Sequence, residues 1–239
     1  MFHPNDVELS MIISHSHKYI FIKSTKTAGT SIEAALSNYC AGNDIVTPLG
    51  DFAFNRDETG AWVHKSMNEG RYRQHDDALT IKHSLAAEVW NNYFKFSIAR
   101  NPWERTLSRF FWDSRNDPTL KPRRRFYHYL GVPFDELAPA RQAFTRFLRE
   151  KEWDTNDRFY ILDGELCVDF VIRYEHLAED LQQVCNRVGL PELELPHLKS
   201  GMRQRGHHYS EYYDDTTRAL VAERHANDIR LFGYRFESA

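Results

Sequence analysis

A chain of 239 residues with 41% hydrophobic and 27% charged side chains can build one substantial core, and its composition is ordinary for a soluble globular protein. A formal net charge of −3 excludes a chain-wide basic surface that would release counterions from nucleic acid, so nucleic acid is not an expected partner. Three scattered cysteines (Cys40, Cys167, Cys185) exclude a disulfide framework, and no run approaches the roughly 18 apolar residues of a membrane span.

Residues 1–19 show no basic head ahead of an apolar core, so no secretory leader is expected and the compartment read from the sequence is the cytoplasm. Tyr19 to Ile22 is a short apolar, β-favouring run that predicts a buried strand. Ser24 to Ser31 is small and hydroxylic, with one lysine (Lys26) and one glycine (Gly29), and Ile32, Ala35 and Leu36 follow at helical spacing. A strand, tight loop and helix start in that order gather backbone N–H groups where the helix dipole favours an anion. Lys26 adds a mobile charge, while Thr27, Thr30 and Ser31 add hydroxyl donors. The nucleoside-triphosphate loop has its lysine directly after the second glycine and then a hydroxyl for magnesium; here the lysine precedes the only glycine by three residues.

Residues 41–60 read as loop, 62–77 as a polar stretch bearing His64 and His75, and 85–90 as a helix after Lys82-His83-Ser84. Phe94 to Ala99 is the second strong strand. Asn101 is placed to cap the helix that follows, with Pro102 at its first position and Trp103, Leu107, Phe110 and Phe111 forming one apolar stripe. Arg100 ends the strand and Ser108 lies off the stripe, which puts a cation and a hydroxyl where α/β sheets bind ligands. Residues 113–156 are charged and irregular, apart from a helical run over 139–150. The basic run from Lys121 to Arg125 could dock an anionic acceptor such as a glycan, but a charge run is more often a solvated face. A third strand over 167–173 leads into a helix ending near Val188 and closed by Gly189, and one last helix spans about 214–232. Alternating strands and helices predict a single α/β domain over residues 1–239, with a mainly parallel central sheet flanked by helices.

The order K-T-x-G-T-S at Lys26 to Ser31 resembles the 5′-phosphosulfate loop of sulfotransferases. Arg100-Asn101-Pro102-Trp103 with Arg105 and Ser108 looks like the same family's 3′-phosphate element. Further similarities are Arg173-Tyr174-Glu175 with Leu177, the turn Arg203-x-Arg205-Gly206, and the closing stretch 213–236, which is similar to the carbohydrate-type and bacterial branch. The resemblance implies a P-loop-like sulfotransferase fold using 3′-phosphoadenosine 5′-phosphosulfate (PAPS) as donor and a hydroxyl acceptor, a carbohydrate or polar small molecule. It further implies that Lys26, Thr27, Ala28, Gly29, Thr30 and Ser31 hold the 5′-phosphosulfate and Arg100 and Ser108 the 3′-phosphate. Tyr174 would lie near the adenine, with Arg203, Arg205 and Gly206 closing over the 3′-phosphate. Lys26 would be the catalytic cation and His83 the base, His83 resembling a K-H-x-x-A segment of bacterial relatives; His64 is the second choice. Thr25 stands where the family often has proline, which bears on loop geometry more than on charge.

The rival readings are a magnesium-dependent ATP phosphotransferase and a nucleotide-binding module without turnover. No metal is expected, since His15, His17, His207 and His208 form the only close histidine pairs and none has a carboxylate or thiolate cluster at ligand spacing. The acceptor would be read by residues 41–80 and 113–160, which carry no motif.

Overall fold

The computed structural model describes residues 11–47, 67–68, 77–117, 120, 135–150, 152–195 and 207–239. They divide into two compact units, one of residues 1–100 with 156–198 and one of residues 101–155 with 199–239.

The first unit is built on a five-stranded sheet of order β3-β1-β2-β4-β7. Its strands are β1 (Met11–Ser14), β2 (Tyr19–Ile22), β3 (Ile45–Val46), β4 (Phe94–Ala99) and β7 (Phe170–Arg173). A separate hairpin pairs β5 (Ile161–Leu162) with β6 (Glu165–Leu166). The expected mainly parallel sheet is a mixed one. β2–β4 and β4–β7 are parallel, but β1 runs antiparallel to both β2 and β3. The physical reason is the short connection from Ser14 to Tyr19: four residues suffice for a hairpin, whereas a parallel neighbour needs a crossover. The helices of this unit are α1 (Gly29–Ser37), α2 (Ala78–Ser84), α3 (Ala87–Asn92) and α6 (Leu177–Val188). The helix expected over 85–90 is α3, which starts only at Ala87 because Leu85 and Ala86 have extended backbones, and α2 is a further helix over the residues before it. The third strand is shorter than expected, beginning at Phe170. Tyr19, Phe21, Ile32, Leu36, Phe96, Ile98, Ile172 and Leu181 form the core between sheet and helices.

The hairpin turn and the segment after α1 meet on one carboxylate. Asp44, fully buried, accepts from the backbone N–H of His15 (2.7 Å), Ser16 (2.9 Å) and Ala41 (3.1 Å) and from Ser16 Oγ (2.6 Å). Burial pushes this carboxyl up, but the Ser16, Ala41 and His15 hydrogen bonds outweigh it and hold it below the usual aspartate range. A depressed folded value gives stability that is whole above about pH 4, where free aspartate titrates, and is lost as pH falls through the folded value. Asp44→Ala should therefore lower stability at neutral pH and flatten the acid limb of a stability-versus-pH curve measured by urea unfolding. An unchanged acid limb would contradict this account.

The second unit packs α4 (Pro102–Asp113), α5 (Ala138–Glu150), the turn Tyr209–Tyr212, α7 (Asp215–Arg224) and α8 (Ala226–Phe232) around aromatic rings. Asn101 caps α4 as expected, accepting from the N–H of Trp103 and Glu104, and Trp103, Leu107, Phe110 and Phe111 are buried. Phe110 packs on Phe144 at 5.2 Å and Phe111 on Tyr212 at 5.5 Å between ring centroids. The single helix expected over 214–232 is broken at His225. That ring is buried, with Nδ1 2.8 Å from Asp228 Oδ2 and Nε2 3.4 Å from Thr106 Oγ1 on α4. A buried polar contact of this kind outweighs helical periodicity, because leaving the ring unsatisfied would cost more than one interrupted turn. No helix among the described residues is long and apolar enough to cross a membrane.

Candidate functional site

The loop between β2 and α1 turns on two left-handed residues, Lys26 (φ 61°) and Ala28 (φ 62°), neither of them glycine. Side chains disfavour this region, so surrounding contacts must hold the loop there. Ser24 Oγ donates to the Ile98 carbonyl on β4, and Thr27 Oγ1 lies 2.8 Å from Ser24 Oγ and 3.2 Å from the Ser24 carbonyl. The Thr27 hydroxyl is thus engaged inside the loop rather than offered outward. Ala28 precedes α1 without a side-chain cap, so no cap side chain takes the first amides of the helix. Lys26 and Ala28 are half-buried, while the other residues from Ser24 to Ser31 are buried.

Gly29 is required by a close approach. Its backbone sits under the stem of Lys23, where an added Cβ would come within 2.6 Å of Lys23 Cγ. That stem cannot simply swing aside, because Lys23 Nζ is 3.1 Å from Glu33 Oε2 and both side chains are buried. Gly29→Ala should therefore cost about 1–3 kcal/mol through overpacking, read as a lower urea midpoint at constant slope. Full stability in that variant would show that the Lys23 stem is free to move.

Two further side chains hold the loop backbone. Arg100, at the carboxyl end of β4, donates from Nη1 to the Lys26 carbonyl at 2.9 Å, and its guanidinium lies 4.0 Å from the ring centre of Tyr174. Asn156, only 1% exposed, accepts at Oδ1 from the Thr25 N–H (3.2 Å) and Oγ1 (2.8 Å) and donates from Nδ2 to the Thr25 carbonyl (2.9 Å). The segment after Tyr174 is anchored by Arg173, which donates to the buried Asp180 from Nε (3.0 Å), Nη2 (2.9 Å) and its backbone N–H (2.9 Å).

Of the residues singled out in the sequence, the structure brings Lys26, Thr27, Ala28, Gly29, Thr30, Ser31, Arg100 and Tyr174 together within the first unit. His83 is exposed on the last turn of α2 in that same unit. Ser108 is half-buried on α4, in the other unit. His64, Arg203, Arg205 and Gly206 lie outside the described residues. Sequence reading missed Lys23, Glu33 and Asn156. The pair Lys23 and Glu33 leaves a weak signal, a lysine closing an apolar strand ten residues before a glutamate on a helix that is otherwise apolar or small. Asn156 leaves none.

The four paired histidines have other engagements. His15 Nδ1 is 2.8 Å from Tyr93 Oη, His17 Nδ1 is 3.1 Å from the Val188 carbonyl, and His208 Nδ1 is 2.8 Å from Ser210 Oγ. His207 lies between Glu211 (3.1 Å) and Glu136 (2.9 Å). Hydrogen bonds to those two carboxylates raise its pKa. Among the described residues no cluster of His, Cys, Asp and Glu is arranged to hold a metal ion.

A family model described as the sulfotransferase family matches residues 9–235. An uncharacterized protein of Archaeoglobus fulgidus is 24% identical over 115 residues, covering 48% of this chain and 83% of that protein. No solved structure matches the chain.

Proposed function

The chain belongs to the sulfotransferase family, and from that premise we propose that it moves a sulfuryl group from PAPS to the hydroxyl of a carbohydrate or polar small molecule. The observation that carries the reading is the 2.9 Å bond from Arg100 to the Lys26 carbonyl. It joins the tips of two neighbouring parallel strands, so a cation from each can address one ligand charged at both ends. In this reading PAPS supplies the activated sulfuryl group. The amides of Gly29 and Thr30, at the start of α1, and the hydroxyls of Thr30 and Ser31 face the 5′-phosphosulfate; Arg100 receives the 3′-phosphate, for which the resemblance also names Ser108. Lys26 places its ammonium where negative charge grows as the sulfur–oxygen bond to phosphate breaks. His83 takes the proton of the acceptor hydroxyl as that oxygen bonds to sulfur. Tyr174, whose ring lies against the Arg100 guanidinium, is the residue for the adenine, and the resemblance names Arg203, Arg205 and Gly206 as further contacts of the 3′-phosphate.

The test is release of 3′,5′-ADP from PAPS by purified protein with a panel of sugar and small-molecule alcohols. A thermal-shift comparison should show stabilisation by 3′,5′-ADP and little by ADP with magnesium. The reverse preference would overturn the donor assignment in favour of phosphoryl transfer.

A further inference from the structure

We infer that Asn156 is the positioning residue that sets Lys26 against the helix carrying His83, an inference that rests on the proposed sulfuryl transfer. Its side chain contacts the loop through the backbone. Oδ1 and Nδ2 together take the N–H and the carbonyl of Thr25 at 3.2 and 2.9 Å, as a neighbouring strand would. The next residue is Lys26, whose left-handed φ of 61° fixes the direction in which its side chain leaves the loop. A pinned Thr25 peptide on one side and the Arg100 bond to the Lys26 carbonyl on the other leave that backbone little freedom. The other side of Asn156 leads to the base. Its carbonyl accepts from the Phe159 N–H (3.0 Å), opening the turn Asp157–Phe159, and this turn packs on α2, the helix of His83. One buried residue therefore joins the element bearing the cation to the element bearing the base.

The chemistry explains why the residue is asparagine. The site needs one acceptor and one donor on a short side chain without charge; aspartate lacks the donor and would bury a charge, and alanine offers neither. The chain leaves the first unit after Arg100 and re-enters it at Asn156, so both residues that grip Thr25 and Lys26 are junctions with residues 101–155.

A positioning role and a merely structural one separate in kinetics. The side chain of Asn156 bonds to Thr25 and not to the amides at the start of α1, so the donor should still bind while a misplaced Lys26 slows the chemical step. In Asn156→Ala, assayed below its unfolding transition, kcat should fall about 10- to 100-fold, the scale of an ångström-sized misplacement, with the donor KM little changed. Amide exchange of the Thr25–Lys26 segment should speed up relative to the core strand β4. If Asn156→Ala fails to fold, Asn156→Ser, which buries no charge and is too short to take both the N–H and the carbonyl of Thr25, carries the same comparison. Wild-type kcat in either folded variant, or unchanged exchange at Thr25 and Lys26, overturns the inference. Should the wild-type protein itself release no 3′,5′-ADP, the sulfuryl-transfer reading falls, and the exchange measurement alone decides whether Asn156 holds the loop.

Discussion

Lys23→Ala should destabilise the protein by about 3–5 kcal/mol, the cost of removing one partner from a buried ion pair. Lys23 Nζ and Glu33 Oε2 are 3.1 Å apart, with side chains only 5% and 0% exposed. Alanine would take the ammonium away from a buried Glu33 carboxylate and would also remove the stem packed over Gly29. The pair Arg109–Asp113 has a similar distance, 2.9 Å, but sits one turn apart on an accessible helix face. Breaking that one should cost about 0.3–0.5 kcal/mol. The contrast tests burial rather than pairing. The double replacement Lys23→Met with Glu33→Leu should recover most of the loss, since well-packed apolar groups often replace a buried pair without penalty. Urea unfolding of the two single variants and the double variant, compared at equal slope, decides the matter. Equal costs for Lys23→Ala and Arg109→Ala would refute the assignment.

The parts legible in the sequence were those written locally. Asn101, Pro102 and the Trp103–Phe111 stripe set cap and face of α4 within one helix, and the structure reproduces both. The strand at Tyr19 announces itself as an apolar run between Lys18 and Lys23, and the one at Phe94 by apolar residues at alternate positions, Phe94, Phe96 and Ile98. What stayed hidden depends on partners far along the chain or on burial of polar groups. Asn156 acts on Thr25, 131 residues away, and belongs to a stretch with no motif. Lys23 reads as a solvated strand end, because charge alone does not say that a glutamate ten residues later will be buried beside it. His225 interrupts a helix whose periodicity is otherwise continuous, through contacts with Asp228 and Thr106 that no window of sequence displays. The antiparallel half of the sheet was missed for a related reason. Met11–Ser14 is only four residues long, and its pairing with Ile45–Val46 spans a loop-like composition.

Lys26→Ala should lower kcat for sulfuryl transfer by about 10²–10³, the usual loss when a donor aimed at developing charge is removed. Because alanine keeps the β-carbon, the left-handed φ of 61° is as strained as before, and the Arg100 bond goes to the backbone carbonyl, which the substitution leaves in place. The variant therefore reads the ammonium and little else. Lys26→Gly would relax the backbone as well, so a larger fall there than in Lys26→Ala would report loop order rather than charge. Arg100→Ala should behave differently. It removes the bond to the Lys26 carbonyl and the contact with the Tyr174 ring and, under the proposed function, a charge-assisted contact to the donor worth about 1.5–3 kcal/mol. Binding of 3′,5′-ADP should weaken about 10- to 100-fold by calorimetry, while in Lys26→Ala that affinity changes much less. Loss of nucleotide affinity in Lys26→Ala with full turnover at saturation would reverse the two roles. Full turnover and full affinity in both variants would remove the two strand tips from the site altogether.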